Sequence, residues 1–73
     1  MSFEYDLLVS RIKEIFGTQK AFAKAMQLSE HSLSRKIRGK VDWTQTEIKK
    51  ACSLLGIIPS EIHLYFFTLI VQY

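Results

Sequence analysis

A polar stripe near the middle of the chain carries the side chains best suited to recognition chemistry. His31, Ser34, Arg35 and Arg38 lie at offsets of 0, 3, 4 and 7, which places them on one side of a helix. Their imidazole, hydroxyl and guanidinium groups donate hydrogen bonds, and both arginines are permanently cationic. This pattern favours a partner that is rich in acceptor oxygens or negative charge, with a merely solvated helix surface as the alternative.

Residues with catalytic potential are few. His31 and His63 are 32 positions apart and neither belongs to a zinc-binding spacing such as His-Glu-x-x-His. Cys52 falls on the apolar side of a predicted helix, where a small buried core residue is expected rather than a nucleophile. The three glycines fall at predicted helix ends and form no phosphate-binding loop. We therefore predict a non-enzymatic protein with no metal and no cofactor.

Length and composition limit the chain to one small domain. Its 73 residues predict a single unit spanning 1–73, and its lone cysteine excludes an internal disulfide. No apolar run approaches the roughly 18 residues that a membrane helix needs, and the N-terminus does not resemble a secretion signal. We therefore expect a soluble cytoplasmic protein with no membrane partner.

The positive charge is concentrated in one region. Residues 18–40 contain six lysines and arginines against the single acid Glu30, whereas the other residues carry four basic and six acidic groups. A concentrated cationic region favours a polyanion such as the DNA backbone. Charge alone leaves DNA binding and a solvated surface equally open.

Hydrophobic spacing predicts four helices and one further helical turn. Thr44 and Glu47 form a capping box at the start of the fourth helix, and Gly17 and Gly56 end the first and the fourth. The predicted helices cover residues 5–16, 19–26, 30–38 and 44–55, and the extra turn covers residues 60–64. In the first helix, the predicted core side is formed by Tyr5, Leu8, Ile12, Ile15 and Phe16.

The C-terminal tail changes character. Residues 66–72 are rich in aromatic and β-branched side chains, which predicts a strand. No other segment is a convincing second strand, so we expect this one to pair across a two-fold axis in a homodimer, unless it is a last apolar helix on the bundle. The predicted dimer interface comprises Phe66, Phe67, Thr68, Leu69, Ile70 and Val71.

Residues 18–40 resemble the helix-turn-helix of small phage repressors and Cro proteins in the XRE-like superfamily. The resemblance extends to the flanking helices and to the C-terminal YFFT segment, so it covers nearly all of the chain. It implies a mainly α fold of four to five helices, with the motif at 18–40 and a dimerisation tail at 66–72. It also implies a bacterial host and association with the nucleoid.

The resemblance assigns roles to individual residues. Arg35 donates a fork to guanine, and Glu30 accepts from a cytosine amino group. The implied base-reading set is Ser29, Glu30, His31, Ser34 and Arg35. The implied phosphate-contacting set is Gln19, Arg38 and Lys40, to which we add Lys20 as a cation of the same stretch.

Two positions depart from the family pattern. Gln27 stands where the turn commonly has a glycine, which adds strain if its φ is positive. Lys36 occupies a position that is often apolar, and we expect Ile37 to take the inward role.

Two functions follow from these features. The leading hypothesis is a homodimeric, sequence-specific DNA-binding transcription regulator that places two recognition helices about 34 Å apart in an operator. The alternative is an antirepressor or modulator that uses the same helical surface to bind the DNA-reading face of another repressor protein. Glu30 on the predicted recognition helix and the modest net charge of +3 are compatible with that alternative.

Overall fold

The structure is a computed structural model that describes residues 3–70. Within this range the chain forms five α-helices and a two-stranded antiparallel sheet, which confirms the predicted mainly α fold. The strands are β1 (Phe3–Glu4) and β2 (Thr68–Leu69), and the helices are α1 (Asp6–Phe16), α2 (Gln19–Met26), α3 (Glu30–Ile37), α4 (Gln45–Leu55) and α5 (Ile62–Phe66). A short 3₁₀ turn, Pro59–Glu61, precedes α5. No helix in the described part of the chain is long and apolar enough to cross a membrane.

All five helices contribute to one hydrophobic core. Every helix places at least one large side chain in the core with no more than about 2% of its surface exposed: Leu8, Ile12, Phe22, Leu33, Leu55 and Phe66. The predicted core side of α1 is correct at its first three positions but wrong at Ile15, which is 48% exposed. The fold therefore uses a narrower apolar stripe on α1 than the sequence pattern indicates.

A tight turn joins α2 to α3. Thr18 caps α2 by accepting a hydrogen bond from the Ala21 backbone N–H at 3.1 Å, and Ser29 caps α3 by accepting from the Ser32 backbone N–H at 3.0 Å. Gln27 adopts φ 61°, in the left-handed region that favours glycine. Gln27 thus has the backbone conformation in which strain was expected. On α2, Ala23 is buried.

The C-terminal strand pairs within the chain. β2 is antiparallel to β1, with Phe3 opposite Leu69 and Glu4 opposite Thr68. The expectation that no other segment supplies a second strand is therefore wrong, because the N-terminal segment pairs with β2, and pairing across a two-fold axis stays a prediction. A two-residue strand carries no sequence pattern of its own, which is why this partner was missed.

The predicted dimer-interface residues have different positions in the structure. Phe66 ends α5 and is only 2% exposed, so it belongs to the core rather than to a strand. The Thr68 hydroxyl donates a hydrogen bond to the Leu64 carbonyl oxygen at 2.9 Å. Phe67, Leu69 and Ile70 remain about half exposed, and the part of the prediction at Val71 and residue 72 lies outside the described residues.

Candidate functional site

The exposed side of α3 is the first candidate surface. We define the α3 face as Glu30, His31, Ser34 and Arg35 of α3 together with its C-terminal capping residue Arg38. All are exposed except Ser34, which is half-buried. The predicted stripe is therefore present on one helix, and its charges face solvent.

Two of the predicted DNA-contacting side chains are engaged in holding α3. The Ser29 hydroxyl accepts from the Ser32 backbone N–H and donates to the Ser32 hydroxyl at 2.9 Å. The Arg38 Nε donates to the Ser34 carbonyl oxygen at 3.4 Å. Ser29 is thus committed to capping the helix, a role that competes with base contact.

The predicted phosphate-contacting residues lie at the ends of α2 and α3. Lys20, Arg38 and Lys40 are exposed, and Gln19, the first residue of α2, is half-buried. Within residues 3–70, none of these cations forms an ion pair. They remain accessible to a partner, whatever its chemistry.

Lys36 departs from the sequence expectation. Its side chain is buried, its Nζ lies 2.8 Å from Glu47 Oε1, and the same Nζ donates to the Asp42 backbone carbonyl oxygen at 2.9 Å. Ile37, which was expected to point inward in place of Lys36, is only half-buried. The cationic surface of residues 18–40 is therefore reduced to five exposed cations against the exposed acid Glu30.

Glu47 connects this ion pair to the start of α4. Its Oε1 also accepts from the Thr44 backbone N–H at 2.9 Å, and the Thr44 hydroxyl accepts from the Glu47 backbone N–H at 3.1 Å, which confirms the predicted capping box. Burial raises the pKa of Glu47, but the hydrogen bonds from Lys36 and Thr44 and the charge of Lys36 outweigh it, so the pKa is lowered overall. Glu47 is thus held ionised where α3, the following loop and α4 meet.

A pocket lined by aromatic side chains is the second candidate surface. Its volume is about 260 Å³, and we define this aromatic pocket by Phe3, Tyr5, Asp42, Trp43, Ile48, Phe66 and Phe67. The Trp43 ring lies 5.2 Å from that of Phe66 and 6.3 Å from that of Tyr5, measured between ring centroids. Phe3 and Phe67 meet edge to face at 5.7 Å. The β1–β2 pairing brings Phe3 to this pocket from the other end of the chain.

Asp42 is the charged member of the aromatic pocket. Burial raises the pKa of the Tyr5 hydroxyl, and the negative charge of Asp42 raises it further, so the carboxylate acts on the phenol across the pocket. The Trp43 indole Nε1 is buried and has no hydrogen-bond acceptor among the residues that the structure describes. Sequence reasoning missed the pocket, because its lining residues come from both ends and the middle of the chain.

A second, more open groove lies beside Cys52. It is lined mainly by apolar side chains of α4 and the C-terminal segment, including Ile57, Ile62 and Phe67. Burial raises the pKa of the Cys52 thiol, which favours its protonated form. Among residues 3–70, no three histidine, cysteine or acidic side chains cluster to hold a metal ion.

The chain belongs to the family described as "Protein of unknown function (DUF739)", whose model matches residues 1–69. Among solved structures, the chain is similar to the modulator of repression (MOR) of the temperate bacteriophage TP901-1 from Lactococcus lactis. The two are 44% identical, with a TM-score of 0.82, over 99% of this chain and 97% of that one. Curated proteins provide no match.

This relationship overturns the leading hypothesis from the sequence. A protein that is 44% identical over the whole chain is a phage modulator of repression, so the interpretation as an operator-binding repressor of the Cro or XRE type is wrong. The structure also pairs one cation of residues 18–40, Lys36, with Glu47, so the exposed positive charge of this region is smaller than the sequence count. The coarser prediction of a phage regulator is supported.

Proposed function

We propose that this protein modulates repression by binding a phage repressor protein through the α3 face and the loop that follows it. The observation that carries this proposal is the whole-chain similarity to a phage modulator of repression. The contact would be with the DNA-reading face of the repressor, so that the chain and DNA compete for one surface. The proposal includes no catalytic step and no cofactor.

The α3 face has the chemistry of a mixed protein interface. Glu30 offers a carboxylate, Arg35 a planar guanidinium and His31 a neutral or cationic ring, all exposed on one helix. Both arginine and aromatic side chains are enriched at protein interfaces. The DNA-reading face of a repressor is basic, so Glu30 is the member of the α3 face expected to attract it, while Arg35 and Arg38 must find acceptor groups on the partner.

The rigid mounting of α3 supports the same proposal. The buried Lys36–Glu47 pair and the Lys36 hydrogen bond to the Asp42 carbonyl oxygen link the helix to the following loop and to α4. A surface held in one conformation before binding loses less conformational entropy when it docks. The α3 face and the loop at residues 38–44 therefore present a pre-organised surface.

The test uses the chain, a phage repressor and the operator DNA of that repressor. We expect the chain and the repressor to form a complex in size-exclusion chromatography without DNA. In a gel shift, the chain alone should produce no sequence-specific shift of the DNA. When the chain is added to the repressor–DNA complex, it should release the DNA. Absence of a complex, together with an unchanged repressor shift, would refute the proposal.

A charge-reversal substitution tests whether the α3 face is the surface that contacts the repressor. Glu30→Lys places a cation where a basic partner is expected, and should weaken the complex by about tenfold or more. Glu14→Lys is a matched control because Glu14 is also an exposed helical glutamate, but it lies on α1. Equal effects of the two substitutions would show that α3 is not the contact surface.

A further inference from the structure

We infer that the aromatic pocket is a binding site for the guanidinium group of an arginine side chain supplied by a partner protein. The inference deepens the proposed function. It rests on that function only for the identity of the partner as a repressor. The pocket itself is defined by Tyr5, Asp42, Trp43 and the phenylalanines around them.

The size of the pocket fits one side chain. Its volume of about 260 Å³ is below the roughly 300–1,000 Å³ of typical small-molecule sites. Five of its seven lining residues are aromatic, and two of these, Phe3 and Phe67, come from the terminal segments joined by the β1–β2 pairing. Aromatic faces attract cations through their ring quadrupoles when the cation lies within about 6 Å of the ring centroid.

The charge at the pocket has the sign that a cation requires. Asp42 is exposed, and its carboxylate makes no ion pair with any residue between 3 and 70. The nearest buried cation, Lys36, does not neutralise it, because Lys36 Nζ is paired with Glu47 at 2.8 Å and reaches only the backbone carbonyl oxygen of Asp42. The Asp42 side chain therefore offers an uncompensated negative charge beside aromatic rings.

Arginine matches this combination better than lysine does. A guanidinium is planar and weakly hydrated, so it can stack on a ring while its N–H groups donate to a carboxylate. An ammonium is strongly hydrated and loses more solvation on entering an aromatic site. The DNA-reading face of a repressor provides arginines for phosphate and guanine contacts, so the same side chains are available to the pocket when DNA is absent.

The site can be tested without a repressor. Trp43 is the only tryptophan of the chain, so its indole N–H gives a single identifiable signal in a ¹⁵N-correlated NMR spectrum. The probe is N-acetylarginine methylamide, compared with the lysine analogue and with the neutral citrulline isostere. We expect saturable shifts of the Trp43 indole and the Asp42 amide, with arginine binding at least about fivefold tighter than citrulline.

Asp42→Asn is the decisive variant. It removes the charge from an exposed side chain, so the fold should persist, as checked by an unchanged unfolding midpoint. We expect it to weaken arginine binding several-fold, toward the citrulline level, while the control Glu14→Gln, an exposed acid outside the pocket, leaves it unchanged. Equal binding of arginine and citrulline to the natural chain, or shifts that do not saturate, would overturn the inference.

Measurements of repressor binding distinguish this inference from the proposed function. If both hold, Asp42→Asn weakens the complex several-fold as well. A chain that takes up the arginine probe but binds no repressor refutes the proposed function and leaves the arginine site standing. A repressor complex that is insensitive to Asp42→Asn refutes the use of the pocket by that partner.

Discussion

Oε1 of Glu47 is shared by two donors that lie on different parts of the chain. It accepts from the Thr44 backbone N–H at 2.9 Å, which caps α4, and from Lys36 Nζ at 2.8 Å, which anchors α3. Both side chains of the ion pair are largely withdrawn from solvent, with 8% of Lys36 and 20% of Glu47 exposed. A buried charge that loses its partner is costly, whereas removal of the charge itself is much less so.

Substitutions at Glu47 and at Lys36 should therefore lower the free energy of unfolding by different amounts. Glu47→Gln leaves the Lys36 ammonium buried without a counter-charge, and should lower the free energy of unfolding by about 3 kcal/mol. Lys36→Met removes the buried charge and leaves Glu47 to cap α4, with an expected loss of about 1 kcal/mol or less. Urea denaturation of the three proteins measures both values. Equal losses would contradict the role assigned to Glu47.

The same carboxylate predicts a dependence of stability on pH. The pKa of Glu47 is lowered in the folded chain from its ordinary value of 4.5, so its stabilising effect is fully present above pH 4.5. That effect is lost as the pH falls through the lower pKa of the folded state. The free energy of unfolding should thus fall more steeply below pH 4.5 in the natural chain than in Glu47→Gln. Parallel pH profiles from chemical denaturation would show that Glu47 contributes little.

At the scale of elements, the turn between α2 and α3 carries identifiable strain. Gln27 adopts φ 61°, where a side chain is unfavourable, and its amide oxygen accepts from the exposed Lys50 Nζ at 3.0 Å. Gln27→Gly should raise the free energy of unfolding by about 1 kcal/mol, because relief of this strain exceeds the loss of one exposed hydrogen bond. Lys50→Met is the control, since it removes that hydrogen bond but keeps an apolar stem at this half-buried position, and it should change stability little. Destabilisation by the glycine would disprove the strain argument.

The C-terminal segment offers a matched pair of adjacent phenylalanines. Phe66 is 2% exposed and packs against Trp43, whereas Phe67 is 49% exposed and meets Phe3 edge to face. Phe66→Ala should cost about 3–5 kcal/mol through the cavity that it leaves, and Phe67→Ala about 1 kcal/mol. Thermal unfolding of both variants gives the comparison. A larger loss at Phe67 than at Phe66 would contradict the burial of these two side chains in this structure.

The sequence predicted those elements whose signals are local. The bounds of α2 and the Thr44–Glu47 capping box follow from residues within one or two helical turns, and both agree with the structure. The pairing of Phe3 with Leu69 joins residues 66 positions apart, and neither two-residue strand has a recognisable period. For the same reason, the sequence identified the α3 face but gave no sign of the aromatic pocket.

Lys36 shows how a charge count taken from the sequence differs from the charge that the fold exposes. Its position in a basic run predicted a surface cation, and only the fold places Glu47, eleven residues later, against its ammonium. Charge counts treat every lysine as exposed, so they overstated the attraction of residues 18–40 for phosphate. The sequence pattern placed the polar stripe on α3, but the pairing of Lys36 with Glu47 is visible only in the tertiary structure.

At the scale of the whole molecule, the net charge of +3 still permits weak electrostatic contact with DNA. We expect the chain alone to bind operator and scrambled duplexes equally at about 50 mM salt, and to lose most of this binding by about 200 mM. Fluorescence anisotropy with the two labelled duplexes measures the difference. A preference for the operator that persists at the higher salt would reinstate direct recognition by the α3 face.

The β1–β2 pairing also has a practical consequence for how this protein is handled. It brings together Phe3 and Leu69, which lie near the two ends of the described residues, and Phe3 also lines the aromatic pocket. An affinity tag or fluorescent label attached beside Phe3 or beside Leu69 would therefore lie on the same side of the molecule, near the pocket. Assays of partner binding are better served by a label on an exposed residue of α1, such as Lys13.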